Sequence, residues 1–132
     1  THTVFQIGWE GKKHSEFPAF GPSKTVGTKN EGHAIGQWGA VGNHAEYRIN
    51  VHEAGTYDVS VFCAGGTRGN GIEMTAECDA QSTTAVLKDA VASSLGTLDL
   101  AAGEHTLKLS VASIPEGVLP EVRFRTSKFV RQ

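Results

Sequence analysis

Between Asn43 and Ala64 the chain reads NHAEYRINVHEAGTYDVSVFCA, and its apolar and polar positions alternate on both sides of a short interruption. Tyr47, Ile49 and Val51 share one parity against Glu46, Arg48 and Asn50; beyond His52 to Gly55, the residues Tyr57, Val59, Val61 and Cys63 alternate with Asp58 and Ser60. A period of two predicts two strands, each with one face in a core and the other toward water. Glu53 to Thr56 reads as a tight connection, with Gly55 available for a positive φ at no steric cost. The pattern leaves open whether the two strands pair with each other or pass between sheets.

The same reading extends along the chain. Thr1 to Gly8 predicts a first strand with Phe5 and Ile7 inward. From Trp9 to Lys29 the periodicity is lost, and Pro18, Gly21 and Pro22 argue against a long helix or a central strand, so a loop with one short edge strand is expected. Asn30 to Asn43, glycine-rich around Trp38, is expected to be a second long loop. After a glycine-rich turn at AGGTRGNG, the residues Ile72, Met74, Ala76 and Cys78 alternate with Glu73, Thr75 and Glu77. Gln81 to Lys88 predicts another strand, and Asp89 to Ser94 a loop or a short helical turn. Leu95 to Leu100, His105 to Val111 and Glu121 to Val130 supply the last three strands. Short strands with Gly-rich or Pro-rich connections and no amphipathic helix predict an all-β fold, an antiparallel β-sandwich. With 132 residues and no repeat or linker, one domain spanning 1–132 is expected.

Composition narrows the function classes. Hydrophobic residues at 39% and charged residues at 20% describe a folded chain and not a disordered tail. A formal net charge of -2 gives no general attraction to nucleic acid or to an anionic membrane. No apolar run approaches the ~20 residues of a membrane-spanning helix. Cys63 and Cys78 are the only cysteines, which excludes a cysteine-only zinc site. Both fall on inward parity, which leaves a cross-core disulfide and two buried thiols as alternatives.

The patterns that catalysis needs are missing: there is no G-x-S-x-G elbow, phosphate-cradling loop, H-E-x-x-H helix or EF-hand loop. The domain is therefore expected not to be an enzyme. His2, His14, His33, His44, His52 and His105 are scattered without paired ligand spacing, and His105 reads as a satisfied boundary histidine. Glu73 with Glu77, and Glu46 with Asp58, read as solvated outward carboxylates, not as the acid–base pair of a glycosidase. Trp38 stands out, a large aromatic in a glycine-rich loop with little other apolar content. Aromatic rings suit the apolar faces of sugars, with polar neighbours orienting the hydroxyls. The alternative is a plug over one end of the core. Trp9, directly after the first strand, divides in the same way between core cap and cleft wall. His33, His44, Arg68 and Asn70 are the polar candidates beside Trp38.

The segments AEYRINVHEAGTYDVSVFCAGG (Ala45 to Gly66), LGTLDLAAGEHTLKLSV (Leu95 to Val111) and LPEVRFRTSKF (Leu119 to Phe129) resemble the carbohydrate-binding modules of families 6 and 35. That resemblance implies a jelly-roll sandwich that binds a glycan or polysaccharide without catalysis. It also implies attachment to a catalytic domain in the same precursor, a secreted or periplasmic location, a monomer, and a structural calcium. Trp38 matches the position of one sugar-stacking aromatic. Where the family pattern has a second tryptophan, this chain has Ala92, Ser93 and Ser94; where it has an asparagine before the last strand, this chain has Leu119, Pro120 and Glu121. The usual E-A-E calcium ligands are absent from THTVFQIGWE, leaving Glu10, Glu16 and Glu121 as candidates. The competing function is a structural or protein-interaction sandwich of a larger extracellular protein. Arg48, Arg68, Arg123 and Arg125 would favour an anionic sugar if they reach its site.

Overall fold

The computed structural model describes residues 4–18, 23–27, 29–30, 35–36, 41–64, 71–87, 92–114 and 123–132, with backbone alone at 18, 29–30, 35–36, 63–64, 92 and 123–126. Strands run in the order β1 (Val4–Ile7), β2 (His14–Pro18), β3 (Lys24–Val26), β4 (Lys29–Asn30), β5 (Ile35–Gly36), β6 (His44–Val51), β7 (Gly55–Ala64), β8 (Glu73–Cys78), β9 (Gln81–Val86), β10 (Ala92–Leu100), β11 (Gly103–Ser113) and β12 (Arg123–Arg131). They form two six-stranded sheets. The first has the order β1-β6-β11-β8-β9, with β3 also on β6; the second is β10-β7-β12-β5-β4, with β2 on β12. This is the expected β-sandwich of jelly-roll type, antiparallel except where β1 runs parallel to β6.

The two strands of the Asn43–Ala64 segment do not form a hairpin. β6 belongs to the first sheet and β7 to the second, so residues 52–54 carry the chain across the sandwich. Tyr47, Ile49 and Val51 therefore face Tyr57, Val59 and Val61 through the core, and all six are buried. Met74, Ala76 and Cys78 add the inner face of β8, with Ile72 buried just before it, and Leu107, Leu109 and Val111 add that of β11. Gly55 does not use the positive φ open to it; a side chain there would meet Cγ and Cδ of Arg131 at 3.2 Å. The glycine makes room for the arginine stem that lies along the start of β7.

Three further departures have local causes. Residues 9–29, expected to be mostly loop, contain β2, β3 and part of β4, because edge strands need only a neighbour's backbone and not an alternating pattern. β2 also delivers a core aromatic: Phe17 is buried and stacks on Phe5 with ring centroids 4.2 Å apart. Ser93 and Ser94 belong to β10 and pair with Val61 and Ser60, so the family's second tryptophan position lies in a strand here. A bulge between Ser94 and Gly96 then lets both Leu95 and Leu98 point inward despite their odd spacing. The cross-core disulfide does not form: Cys78 is a buried free thiol.

Candidate functional site

The outward residues of the first sheet form a continuous polar face. Glu46, Arg48 and Asn50 on β6 stand opposite Lys108, Thr106 and Glu104 on β11, and Lys108 pairs on its other side with Glu77 of β8. Lys108 thus lies between two carboxylates, and Arg48 makes an ion pair with Glu104 at 3.7 Å. These side chains border a shallow depression of about 460 Å³ that Asp79 and His105 close at one side. Solvated pairs of this kind contribute about 0–1 kcal/mol each, so stability alone gives little reason for the arrangement.

One corner of this face carries an exposed aromatic. β1 ends at Ile7, Gly8 turns the chain in the left-handed region with φ 72, and the short 3-10 turn Trp9–Gly11 follows. Any side chain at Gly8 would strike the Tyr57 hydroxyl, 2.8 Å away, so the turn passes directly over a buried phenol. Tyr57 in turn donates to the Glu53 carbonyl at 2.5 Å, and burial raises its pKa above the ordinary phenol value, with opposing effects from Arg131 and Glu53. Over this rigid base Trp9 is 49% exposed. Its indole N–H donates to Glu10 Oε1 at 2.9 Å, and its ring meets His52 edge-on with centroids 4.7 Å apart. Asn50 Nδ2 donates to Gln6 Oε1 at 3.1 Å, and the His52 Nε2–H donates to the same oxygen. An indole, an imidazole and two amides are thereby held together beside the Glu104 and Arg48 pair. Such a set offers one apolar surface and several directed hydrogen bonds.

The predicted site residues do not share one place. Trp9 is not a core cap but stands beyond the last residue of β6, whereas His44 opens that strand, so eight residues of extended chain separate their ends of the sheet. His44 is occupied locally, with Nδ1 3.1 Å from the Gly42 carbonyl and Nε2 3.6 Å from Glu46. Trp38, His33, Arg68 and Asn70 lie outside the described residues, as does Glu121. Of the residues proposed for calcium, Glu10 accepts the Trp9 indole N–H and Glu16 is exposed on β2 opposite Lys128. Neither joins a grouping of three metal-ligating side chains among the described residues. Gln6, Asn50 and His52 were not singled out by the sequence pattern. Gln6 and Asn50 offered only outward parity on two strands whose pairing is long-range, and His52 only its place at the turn after β6.

His105 is the satisfied boundary histidine that its parity implies, its Nε2–H donating to the Ala101 carbonyl at 2.7 Å. Its Nδ1 lies 3.0 Å from Asp79 Oδ2. Cys78 completes a grouping whose ligand atoms all lie within 4.8 Å of one another, the one such cluster among the described residues. Burial, and secondarily the Asp79 carboxylate, push the Cys78 thiol up to about 11.

No family model and no curated protein sequence matches the chain. Solved structures do match its architecture. The C-terminal family 6 carbohydrate-binding module of LamC, a laminarinase from Zobellia galactanivorans, superimposes with a TM-score of 0.68 at 12% identity, covering 89% of this chain and 99% of that one. A family 6 module of lichenase 5A from Cellvibrio mixtus, solved in complex with cellotriose, gives 0.64 at 16% identity, with 89% and 97% covered. The Podospora anserina β-(1,4)-mannanase with a family 35 module gives 0.69 at 12% identity over 91% of this chain, which spans 28% of the mannanase chain. Two whole carbohydrate-binding modules are thus matched over nearly their full length. At these identities the likeness establishes the fold.

Proposed function

We propose that the chain is a non-catalytic carbohydrate-binding module, and that it holds a glycan across the outer face of its first sheet with Trp9 as the apolar platform. The observation that carries the reading is the exposed Trp9 ring, fixed edge-on to His52, which is itself joined through Gln6 and Asn50 to the polar outer face of the first sheet. The indole would stack on the C–H face of a sugar ring. Gln6, Asn50 and His52 would orient its hydroxyls, and Arg48 with Glu104 would contact the next unit along the depression. Because sugar hydroxyls give up water before bonding to protein, the expected affinity is micromolar to millimolar. The architecture shared with modules of a laminarinase, a lichenase and a mannanase supports this reading. So does the lack of a recognisable nucleophile or acid–base pattern in the chain. Any catalysis would belong to a domain joined to this one in a secreted enzyme.

The test is a glycan array of neutral and acidic oligosaccharides, followed by titration of the hits into isotope-labelled protein. Shifts are expected at the Trp9 indole N–H and at backbone amides of Gln6, Asn50, His52 and Arg48. Shifts confined to the Trp38 indole and residues near Arg68 and Asn70 would move the platform to Trp38 while keeping the glycan function. Absence of binding across the array would favour the structural or protein-interaction sandwich.

A further inference from the structure

We propose that Cys78, Asp79 and His105 form a binding site for one divalent late first-row transition ion, zinc by class, with an open coordination position toward the depression on the first sheet. The site borders the depression proposed for the glycan but involves none of the residues placed around Trp9, and its metal binding can be measured without any glycan.

Topology creates the constellation. β8 ends at Cys78 and β9 begins at Gln81, so Asp79 occupies the first position of a two-residue hairpin turn with φ 56, a backbone region that few non-glycine residues adopt. β11 pairs with β8 through Leu107 and Cys78, which brings His105 alongside the turn. A thiol, a carboxylate and an imidazole, separated by up to 27 positions in sequence, thereby present Sγ, Oδ and Nδ1 to one point, all within 4.8 Å of one another.

The hydrogen bonding of His105 narrows what that point receives. Its Nε2–H donates to Ala101, which leaves Nδ1 as the ring atom that faces Asp79 Oδ2, 3.0 Å away. Either a proton on Nδ1 or a metal ion can occupy the space between that nitrogen and the carboxylate. A proton would satisfy this pair alone and leave Cys78 a bystander. A metal ion uses all three donors, with the thiol proton leaving to solvent as the sulfur coordinates. The Ala101 carbonyl then serves as the outer partner that fixes the ring tautomer, a recurrent feature of histidine ligands. Sulfur with nitrogen and one carboxylate oxygen suits zinc or cobalt, not calcium or magnesium, which take oxygen ligands. Cys78 and His105 are 1% and 11% exposed while the Asp79 side chain is 55% exposed, so the ion has a buried floor and an entrance. Asp79 and His105 also line the depression, where solvent or another ligand would complete the tetrahedron.

Equilibrium dialysis of the tag-free, reduced protein against zinc, together with cobalt titration followed by absorption, tests the site. One equivalent of metal is expected. Cobalt should give intense visible bands of tetrahedral geometry and a near-ultraviolet thiolate-to-metal charge-transfer band. Cys78→Ala should abolish the charge-transfer band, and Cys63→Ala should keep it. His105→Gln should weaken binding by at least about 100-fold, beyond the ~10–100-fold typical of losing an outer partner. Asp79→Asn, which retains a residue that tolerates the turn's φ, supplies a ligand-deficient variant should Cys78→Ala fail to fold. A charge-transfer band missing from the wild type, or unchanged in Cys78→Ala or His105→Gln, would overturn the proposal. So would zinc affinity unaffected by Asp79→Asn and His105→Gln, which would leave an imidazolium–carboxylate pair as the occupant.

Discussion

Thr83 fills the space that a side chain on Gly96 would need. Its hydroxyl donates to the Leu95 carbonyl at 2.6 Å, and its Cβ stands 3.2 Å from where a Gly96 Cβ would be. Thr83 lies on β9 of the first sheet and Gly96 on β10 of the second, so the contact joins the two sheets at one edge of the sandwich. Gln81 reinforces the seam, donating from Nε2 to the Asp99 carbonyl at 2.6 Å and accepting from the Asp99 amide at 2.8 Å. Gly96→Ala should therefore be strongly destabilising, by about 2–4 kcal/mol, since φ 113 strains an L residue and the methyl group collides with Thr83. Adding Thr83→Ala removes the worst of the collision, that with the hydroxyl, but leaves a tight contact with Cβ and the backbone strain. Denaturant unfolding of the double-mutant cycle should show a favourable coupling; strictly additive losses would contradict the steric account.

Ser127 gives a prediction of opposite sign. Its hydroxyl is buried on β12, fully inaccessible, and has no hydrogen-bond partner among the described residues. A buried hydroxyl left unpaired costs about 1–3 kcal/mol, so Ser127→Ala should be neutral or stabilising by up to about 1 kcal/mol after the small packing loss. A loss above about 1 kcal/mol in chemical denaturation would show that the hydroxyl is satisfied in solution.

Alkaline pH should erode stability through the two buried phenols. Burial pushes Tyr47 well above the ordinary phenol value, and Tyr57 is also raised, chiefly by burial. Below pH 10, the ordinary value for both, folded and unfolded states are equally protonated and the contribution is complete. Above it the unfolded state loses protons first, so stability falls as pH rises toward the folded-state values, by at most about 1.4 kcal/mol per pH unit for each phenol. Tyr47→Phe should flatten the decline in unfolding free energy above pH 10. An unchanged slope would place the loss elsewhere.

The strand faces were legible because the core is built from parity: every inward residue named on β6, β8 and β11 between Tyr47 and Val111 is buried, apart from His105 at the boundary. Pairing was not legible, since alternation says which side a residue faces and nothing about its neighbour. For that reason the crossing at 52–54, the parallel β1 and the seam between Thr83 and Gly96 emerge only from the structure. Phe17 was hidden by the adjacent proline, which marks an edge strand but does not prevent it from filling the core. The site was less legible still. Trp9 was visible as an aromatic at a strand end, but its neighbour His52, and Gln6 and Asn50 that hold His52, come together only through the pairing of β1 with β6. Cys78 and His105 likewise meet through the pairing of β8 with β11, and no ligand spacing announces them.

The central claim is that an exposed Trp9 binds sugar and does not seal the core. Isothermal titration of the best array oligosaccharide into wild type and Trp9→Ala, with thermal unfolding of both, tests it most directly. The account predicts that Trp9→Ala abolishes measurable binding heat while lowering stability by less than about 1 kcal/mol, because the ring is half exposed and contributes mainly an edge contact with His52. Undiminished affinity in Trp9→Ala would contradict the placement of the glycan, and a loss of roughly 3 to 5 kcal/mol in stability would mark Trp9 as a core residue.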